Sequence, residues 1–280
     1  DDFDNVIKSF SLRKGYMATF ATNADGTGFS RVFIADEDDL IINEMPEGLD
    51  GAVSFIRVFR WDWISKKGKA GWSPNKINST WYYDWNIGGS SAENYDYVAI
   101  RQNGGWPAWE TINNKPGVNH LLGHNEPDRP DQANMSVDET LAQWPDMMKS
   151  GFRVGSPAPS DPYNGFLPAF MDKAEELNYR WDFIAIHCYW GGMNPQTWYN
   201  RLKEVYDWYK RPLWITEWNN GANWTNESWP TEQAAQFEKQ LNDLKGILTV
   251  LDTASFIERY AIYDWVENTR ALVLGDTLTP

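Results

Sequence analysis

Eight short apolar or β-branched runs constrain this chain more than any other feature of its sequence. They are Ala52 to Arg60, Trp81 to Trp85, Tyr97 to Arg101, His120 to Gly123, Arg153 to Ser156, Phe183 to Tyr189, Leu213 to Thr216 and Arg259 to Asp264. Most are continuous rather than alternating, as expected of strands covered on both faces. The segments between them carry helix signals in the second half. Ser136-Val-Asp-Glu139 is a capping box that opens a helix to about Lys149, with Gly151 as its stop. Asn194-Pro195 supplies an N-cap and a first-turn proline, after which Trp198, Leu202, Val205 and Tyr209 recur at helical spacing. Phe237, Leu241, Leu244, Leu248 and Leu251 repeat that pattern after Pro230. Strands alternating with helices mean a parallel sheet, and eight of them predict an α/β fold of the (β/α)8 TIM-barrel type over residues 47–280. Between Trp61 and Thr80 the chain is rich in Lys, Gly, Ser and Asn, which predicts a loop with at most a short helix.

Residues 1–46 read differently. Tyr16 to Ala21 and Ser30 to Ala35 are β-prone runs joined by the turn-rich Asn23 to Gly28, which predicts an antiparallel hairpin, and Leu40 to Asn43 adds a third strand. The acidic run Asp36 to Asp39 lacks the ligand spacing of a calcium loop and reads as a solvated turn. At the other end Thr279-Pro280 resembles the start of a helix, so the natural chain is expected to continue.

With 280 residues, 42% of them hydrophobic, the chain can bury one large core as a single barrel domain carrying a small N-terminal β element. A net charge of −14 would repel phosphate backbones and anionic lipid, so nucleic acid and membrane surfaces are poor partners. A neutral polymer fits better. No apolar run is long enough to span a membrane, and the expectation is a monomer that is secreted, periplasmic or cell-surface, its signal peptide already absent. Cys188 cannot form an internal disulfide and reads as packing.

The chemistry is concentrated at strand ends. His120 to Gly123 opens into Asn125 and Glu126, and Leu213 to Thr216 delivers Glu217. In a barrel the carboxyl ends of strands face the catalytic mouth, which places Glu126 after the fourth strand and Glu217 after the seventh. Two carboxylates sharing a cleft suit glycoside hydrolysis: one protonates the departing oxygen, and the other stands opposite the developing oxocarbenium carbon. A gap of about 5 to 5.5 Å retains the anomeric configuration, whereas roughly 6.5 Å or more inverts it. Retention is expected, with one carboxyl protonated near neutrality.

The 17 tryptophans add weight where they fall at strand ends, because aromatic faces stack on sugar rings. Trp61, Trp85, Trp218 and Trp265 are candidate platforms, with Arg60, Gln102, Trp190, Tyr263, the stretch Tyr82 to Asn86 and Asp161 as further lining. His187 and Tyr189 share one strand face. His120 and His124, with Glu126 and Asp128, do not form a helical His-Glu-x-x-His unit, so no metal and no cofactor are expected.

Gly123-His-Asn-Glu-Pro-Asp128, Ile186-His-Cys-Tyr189 and Ile215-Thr-Glu-Trp218, in that order, resemble glycoside hydrolase family 128, the β-1,3-glucanases of clan A. The similar segments run from about Phe55 to Trp265. The resemblance implies Glu126 as acid/base, Glu217 as nucleophile, Asn125 on the sugar 2-hydroxyl, and His187 and Tyr189 in the cleft. The family's commoner aromatic residue is replaced here by His124. The implied activity is endo-cleavage of laminarin- or curdlan-like chains. The alternatives are a retaining barrel glycanase on algal galactan, mannan or xylan, and a glycan-binding barrel that has lost catalysis.

Overall fold

The computed structural model describes residues 3–61, 65–266, 270–275 and 277–280. Five strands open the chain: β1 (Phe10–Leu12), β2 (Tyr16–Ala21), β3 (Ser30–Ala35), β4 (Leu40–Ile42) and β5 (Phe55–Arg60). All pair antiparallel, β1 with β4 and β2 between β3 and β5. Phe20 and Phe33 on one face of this sheet meet Phe10, with ring centroids 4.5 and 5.0 Å away, and Leu12 and Leu49 complete a small core. The other face rests on Gly151 and Phe152: Thr19 Oγ1 donates to the Gly151 carbonyl at 2.7 Å, and the Arg57 guanidinium lies 4.6 Å from the Phe152 ring centre.

That arrangement corrects the sequence reading at one point. Ala52 to Arg60 was expected to be the first parallel strand, but β5 is an antiparallel edge of the N-terminal sheet. The first parallel strand is β6 (Lys67–Ala70), inside the stretch read as a loop. Its polar composition hides a buried strand. Lys69 is 4% exposed, and its Nζ donates to Asp264 Oδ1 at 2.6 Å. Gly68 leaves room for an indole: a Cβ there would lie 2.3 Å from the Trp81 ring, so only glycine fits.

The remaining parallel strands are β7 (Trp81–Tyr83), β8 (Asp96–Tyr97), β9 (Ala99–Ile100), β10 (His120–Leu122), β11 (Arg153–Val154), β12 (Ile184–Cys188), β13 (Leu213–Trp218) and β14 (Ile257–Ile262). They hydrogen-bond in the orders β12-β13-β14-β6-β7-β8 and β11-β10-β9. Only Val98 separates β8 from β9, and its N–H bonds to Tyr82 O. Gly155, just after β11, bridges Phe183, just before β12. The protein is therefore α/β with parallel strands. Helices α1 (Trp109–Asn113), α2 (Val137–Lys149), α3 (Phe166–Glu176), α4 (Pro195–Tyr209) and α5 (Gln233–Thr253) fall between them. The expected capping box is present at α2, where Glu139 N–H donates to Ser136 Oγ and Ser136 N–H to Glu139 Oε2. A hairpin of β15 (Val273–Leu274) and β16 (Thr277–Leu278) precedes Thr279-Pro280, where a helix start was expected.

Alternation sorts the strand side chains into two clusters. Leu121, Ile184, Ile186 and Ile215 join Trp144, Phe170 and Trp198 from the helices, each side chain worth roughly 1.5–3 kcal/mol on burial. Leu122, Phe183, Trp214, Trp81 and Tyr83 form the other cluster, with Phe183 and Trp214 stacked at 4.1 Å. Among the described residues no helix is long and apolar enough to cross a membrane.

Candidate functional site

The two glutamates reach one another from different strands. Glu126 follows β10 in a left-handed backbone conformation (φ 42°), held by its N–H bond to Ala158 O at 2.8 Å. Such a conformation costs a non-glycine residue about 1–3 kcal/mol, a strain typical of functional positions. Glu217 lies within β13 and is 6% exposed. His187 from β12 stands between them, its Nδ1 2.9 Å from Glu126 Oε1 and 3.6 Å from Glu217 Oε2. The donor atoms of these three side chains lie within 4.8 Å of one another. That spacing is short enough to hold a cation. The carboxylates already have other partners, however, as a pair bridged by hydrogen-bond donors would.

Three donors converge on Glu217. Tyr83 Oη and Trp85 Nε1 reach Oε1 at 3.0 and 2.9 Å, and Tyr189 Oη reaches Oε2 at 2.5 Å. Burial and the charge of Glu217 push the Tyr83 and Tyr189 phenols well above the usual tyrosine range, so both remain donors. Around Glu126 the balance differs from the expectation of a protonated carboxyl. Burial pushes Glu126 up, but the His187 hydrogen bond and charge, with Arg129 at 3.4 Å, outweigh it and hold the group below its ordinary value. Burial pushes His187 down, yet Glu217 and Glu126 more than offset this and raise it. The two shifts run in opposite directions, as expected of a hydrogen-bonded pair that titrates together.

Around the carboxylates is an open cleft of about 530 Å³ lined by Trp85, Gln102, Asn125, Tyr189, Tyr263 and Trp265, all named from the sequence, and by Arg129, Asp131, Gln132, Ser160 and Trp224, which were not. Asn125 is 4% exposed, and its Nδ2 donates to Gln132 Oε1 at 3.3 Å. Trp85 both lines the cleft and holds Glu217. Asp128 shapes the loop by accepting from Ser160 N at 2.9 Å and Asn164 Nδ2 at 2.8 Å. Arg129, Asp131, Gln132, Ser160 and Trp224 each sit in aperiodic loops. Trp224 is set edge-to-face on Tyr189 at 5.1 Å, and no sequence pattern marks it.

Other candidates are placed elsewhere. Arg60 and Trp61 end β5, away from the cleft, in a separate cavity with Asp36 and Glu93; Trp61 Nε1 donates to Asp36 Oδ1 at 2.9 Å. They were misplaced because β5 is not a parallel strand. Trp218 is 1% exposed and turned toward Trp198, since it follows Glu217 on the strand and must take the opposite face. Trp190 is likewise in the core, its Nε1 bonded to Asp161 Oδ2 at 2.9 Å, so neither it nor Asp161 lines the cleft. His120 lies with Trp61 and Trp214. His124 is fully buried, neither ring nitrogen makes a hydrogen bond, and burial with nearby Arg101 lowers it to about 3.

The family model described as glycosyl hydrolase catalytic core matches residues 59–279. Among solved structures, a family 128 (subgroup I) endo-β-1,3-glucanase from Amycolatopsis mediterranei in complex with laminaritriose is 28% identical, with a TM-score of 0.66 over 77% of this chain and 95% of that one. A subgroup III curdlan-specific exo-β-1,3-glucanase from Blastomyces gilchristii, in complex with glucose, is 27% identical at a TM-score of 0.60, covering 76% and 94%. A subgroup VII oligosaccharide-binding protein from Trichoderma gamsii shares the fold at 22% identity and a TM-score of 0.60, covering 77% and 90%. No curated protein sequence matches.

Proposed function

Because the chain belongs to the glycosyl hydrolase catalytic-core family, we infer that this glycoside hydrolase cleaves β-1,3-glucan with retention of configuration, on a strand ring of the (β/α)8 type. The observation that carries the reading is the carboxylate pair: Glu126 and Glu217 with donor atoms within 4.8 Å across His187, in a cleft walled by aromatic rings. So close an approach of single oxygens supports the short carboxyl separation of a retaining enzyme. The β6–β14 pairing and the contacts around Val98 and Gly155 support the eight-stranded ring.

In the first step Glu217 attacks the anomeric carbon as the glycosidic C–O bond breaks, and the departing oxygen takes the proton held by the Glu126–His187 pair. Tyr83, Trp85 and Tyr189 fix the attacking carboxylate, which limits the reorganisation needed in the transition state. In the second step Glu126 accepts a proton from water, whose oxygen attacks the same carbon and releases Glu217. The substrate class rests on similarity to laminari-oligosaccharide-binding relatives, and a neutral glucan suits an acidic protein. An exported monomer acting on extracellular polymer is part of the same proposal.

The test is Glu217→Ala assayed on a polysaccharide panel, with binding measured in parallel. An enzyme loses several orders of magnitude in turnover while still binding oligosaccharide. Unchanged turnover removes the nucleophile role, and wild-type release of reducing ends from galactan, mannan or xylan alone replaces the glucan. The Trichoderma gamsii relative favours one second reading, a binding protein without turnover, and an inactive wild type that binds oligosaccharide would establish it.

A further inference from the structure

The aromatic wall of the cleft does not stop at its rim. Trp85, whose Nε1 holds Glu217, lies 5.9 Å from Trp265 by ring centroids, and Trp265 lies 5.2 Å from Trp72, the rings tilted by 35° and 38°. Trp265 is 53% exposed and Trp72 is 52% exposed. Each step is about the length of a pyranose ring. Two large side chains half in water and in mutual contact form a continuous apolar strip, which in a stable protein marks a binding surface.

The backbone has a positive φ on both sides of Trp72. Gly71 (φ 105°) turns the chain beneath the Trp85–Trp265 junction, where a Cβ would sit 3.6 Å from Trp85 and 3.8 Å from Trp265. Ser73 on the other side is left-handed (φ 61°), without a side-chain cap on the short 3-10 helix at residues 74–77. Of the two, only Ser73 carries strain, since glycine adopts a positive φ without steric cost, and strained residues of this kind cluster at functional surfaces.

Resting on the reading of the cleft as a glucanase site, we propose that Trp72 and Trp265 form an outer platform for glucosyl units of a glucan chain that extends beyond the catalytic centre. The row leaves the site through Trp85 at Oε1 of Glu217, whereas His187 and Tyr189 face Oε2. Stacking at Trp72 then serves only substrates long enough to reach it.

The experiment compares wild type, Trp72→Ala and Trp72→Phe on β-1,3-linked gluco-oligosaccharides of increasing length. Trp208→Ala serves as the control, since Trp208 is another exposed tryptophan, on α4 against Tyr163. Trp72→Ala should lower kcat/KM about three- to tenfold for the longest substrates and leave the shortest cleaved one unchanged. Trp72→Phe should restore most of the loss, and Trp208→Ala should do nothing. A loss equal at every length, or none, overturns the platform while leaving the glucanase reading intact. If the wild-type enzyme cleaves none of the series, the β-1,3-glucan reading itself falls and the assignment with it.

Discussion

Replacing His187 by glutamine tests where the catalytic proton is kept. Glutamine can still donate to Glu126 Oε1, 2.9 Å from Nδ1, but it cannot take up a proton. In the wild type the last proton leaves the Glu126–His187 pair at a pH above the ordinary histidine value of 6.5, because the two carboxylates raise the imidazole. Without His187 that proton rests on Glu126 alone, a group with an ordinary value of 4.5 that burial pushes up and Arg129 pulls down. The alkaline limb of kcat/KM should therefore move toward acid by about two pH units, the gap between the ordinary values of 6.5 and 4.5, equivalent to about 2.7 kcal/mol at 1.36 kcal/mol per unit. At pH 8 this is up to about a hundredfold loss, with a much smaller loss near pH 5. The assay is kcat/KM from pH 4 to 9 on one oligosaccharide for both proteins. A uniform drop with an unmoved alkaline limb would refute the shared proton and leave His187 a positioning residue.

The same pair has a stability signature. His187 is raised on folding, so its contribution is full below about pH 6.5 and lost as pH rises through the folded value; Glu126 is lowered, so its contribution is full above about 4.5 and lost as pH falls. Tm should peak between these limits, and His187→Gln should flatten the peak. Tyr189→Phe removes a buried donor to a carboxylate, worth about 1.5–3 kcal/mol, so kcat/KM should fall roughly ten- to a hundredfold with the fold intact by circular dichroism. His124→Phe removes two buried nitrogens that make no hydrogen bond, which offsets the larger ring; Tm should rise, and a fall in Tm would show that the histidine is satisfied. Lys69→Met leaves Asp264 buried without its cation and should cost about 3–5 kcal/mol by denaturant titration, while a change under 1 kcal/mol would mean the pair is dispensable.

Both glutamates could be read from the sequence because each ends an apolar run, and a parallel strand covered on both faces can hardly look otherwise. With β8 and β9 taken as one strand interrupted at Val98, the described residues hold as many parallel strands as the sequence reading counted, for a compensating reason. Phe55 to Arg60 is apolar enough to pass for a parallel strand, while Lys67 to Ala70 is too polar to be noticed, its lysine neutralised by an aspartate far along the chain. Exchanging one for the other leaves Glu126 after the fourth parallel strand and Glu217 on the seventh. The aromatic lining was harder to read. Period-two parity puts Trp218 and Glu217 on opposite faces, yet at the irregular end of β7 the positive φ of Trp85 turns its indole back onto Glu217. Trp72 and Trp224 sit where the chain has no period at all.

The β6–β14 contact also bears on how the molecule is made. During synthesis Lys67 to Ala70 leaves the ribosome long before Ile257 to Ile262, its neighbour on one side, so for most of translation that flank of β6 has no partner. An unpaired flank invites other nascent chains, and two lysines about a glycine are a poor template for them. The polarity that conceals the strand from a reader of the sequence protects the growing polypeptide until its far end arrives.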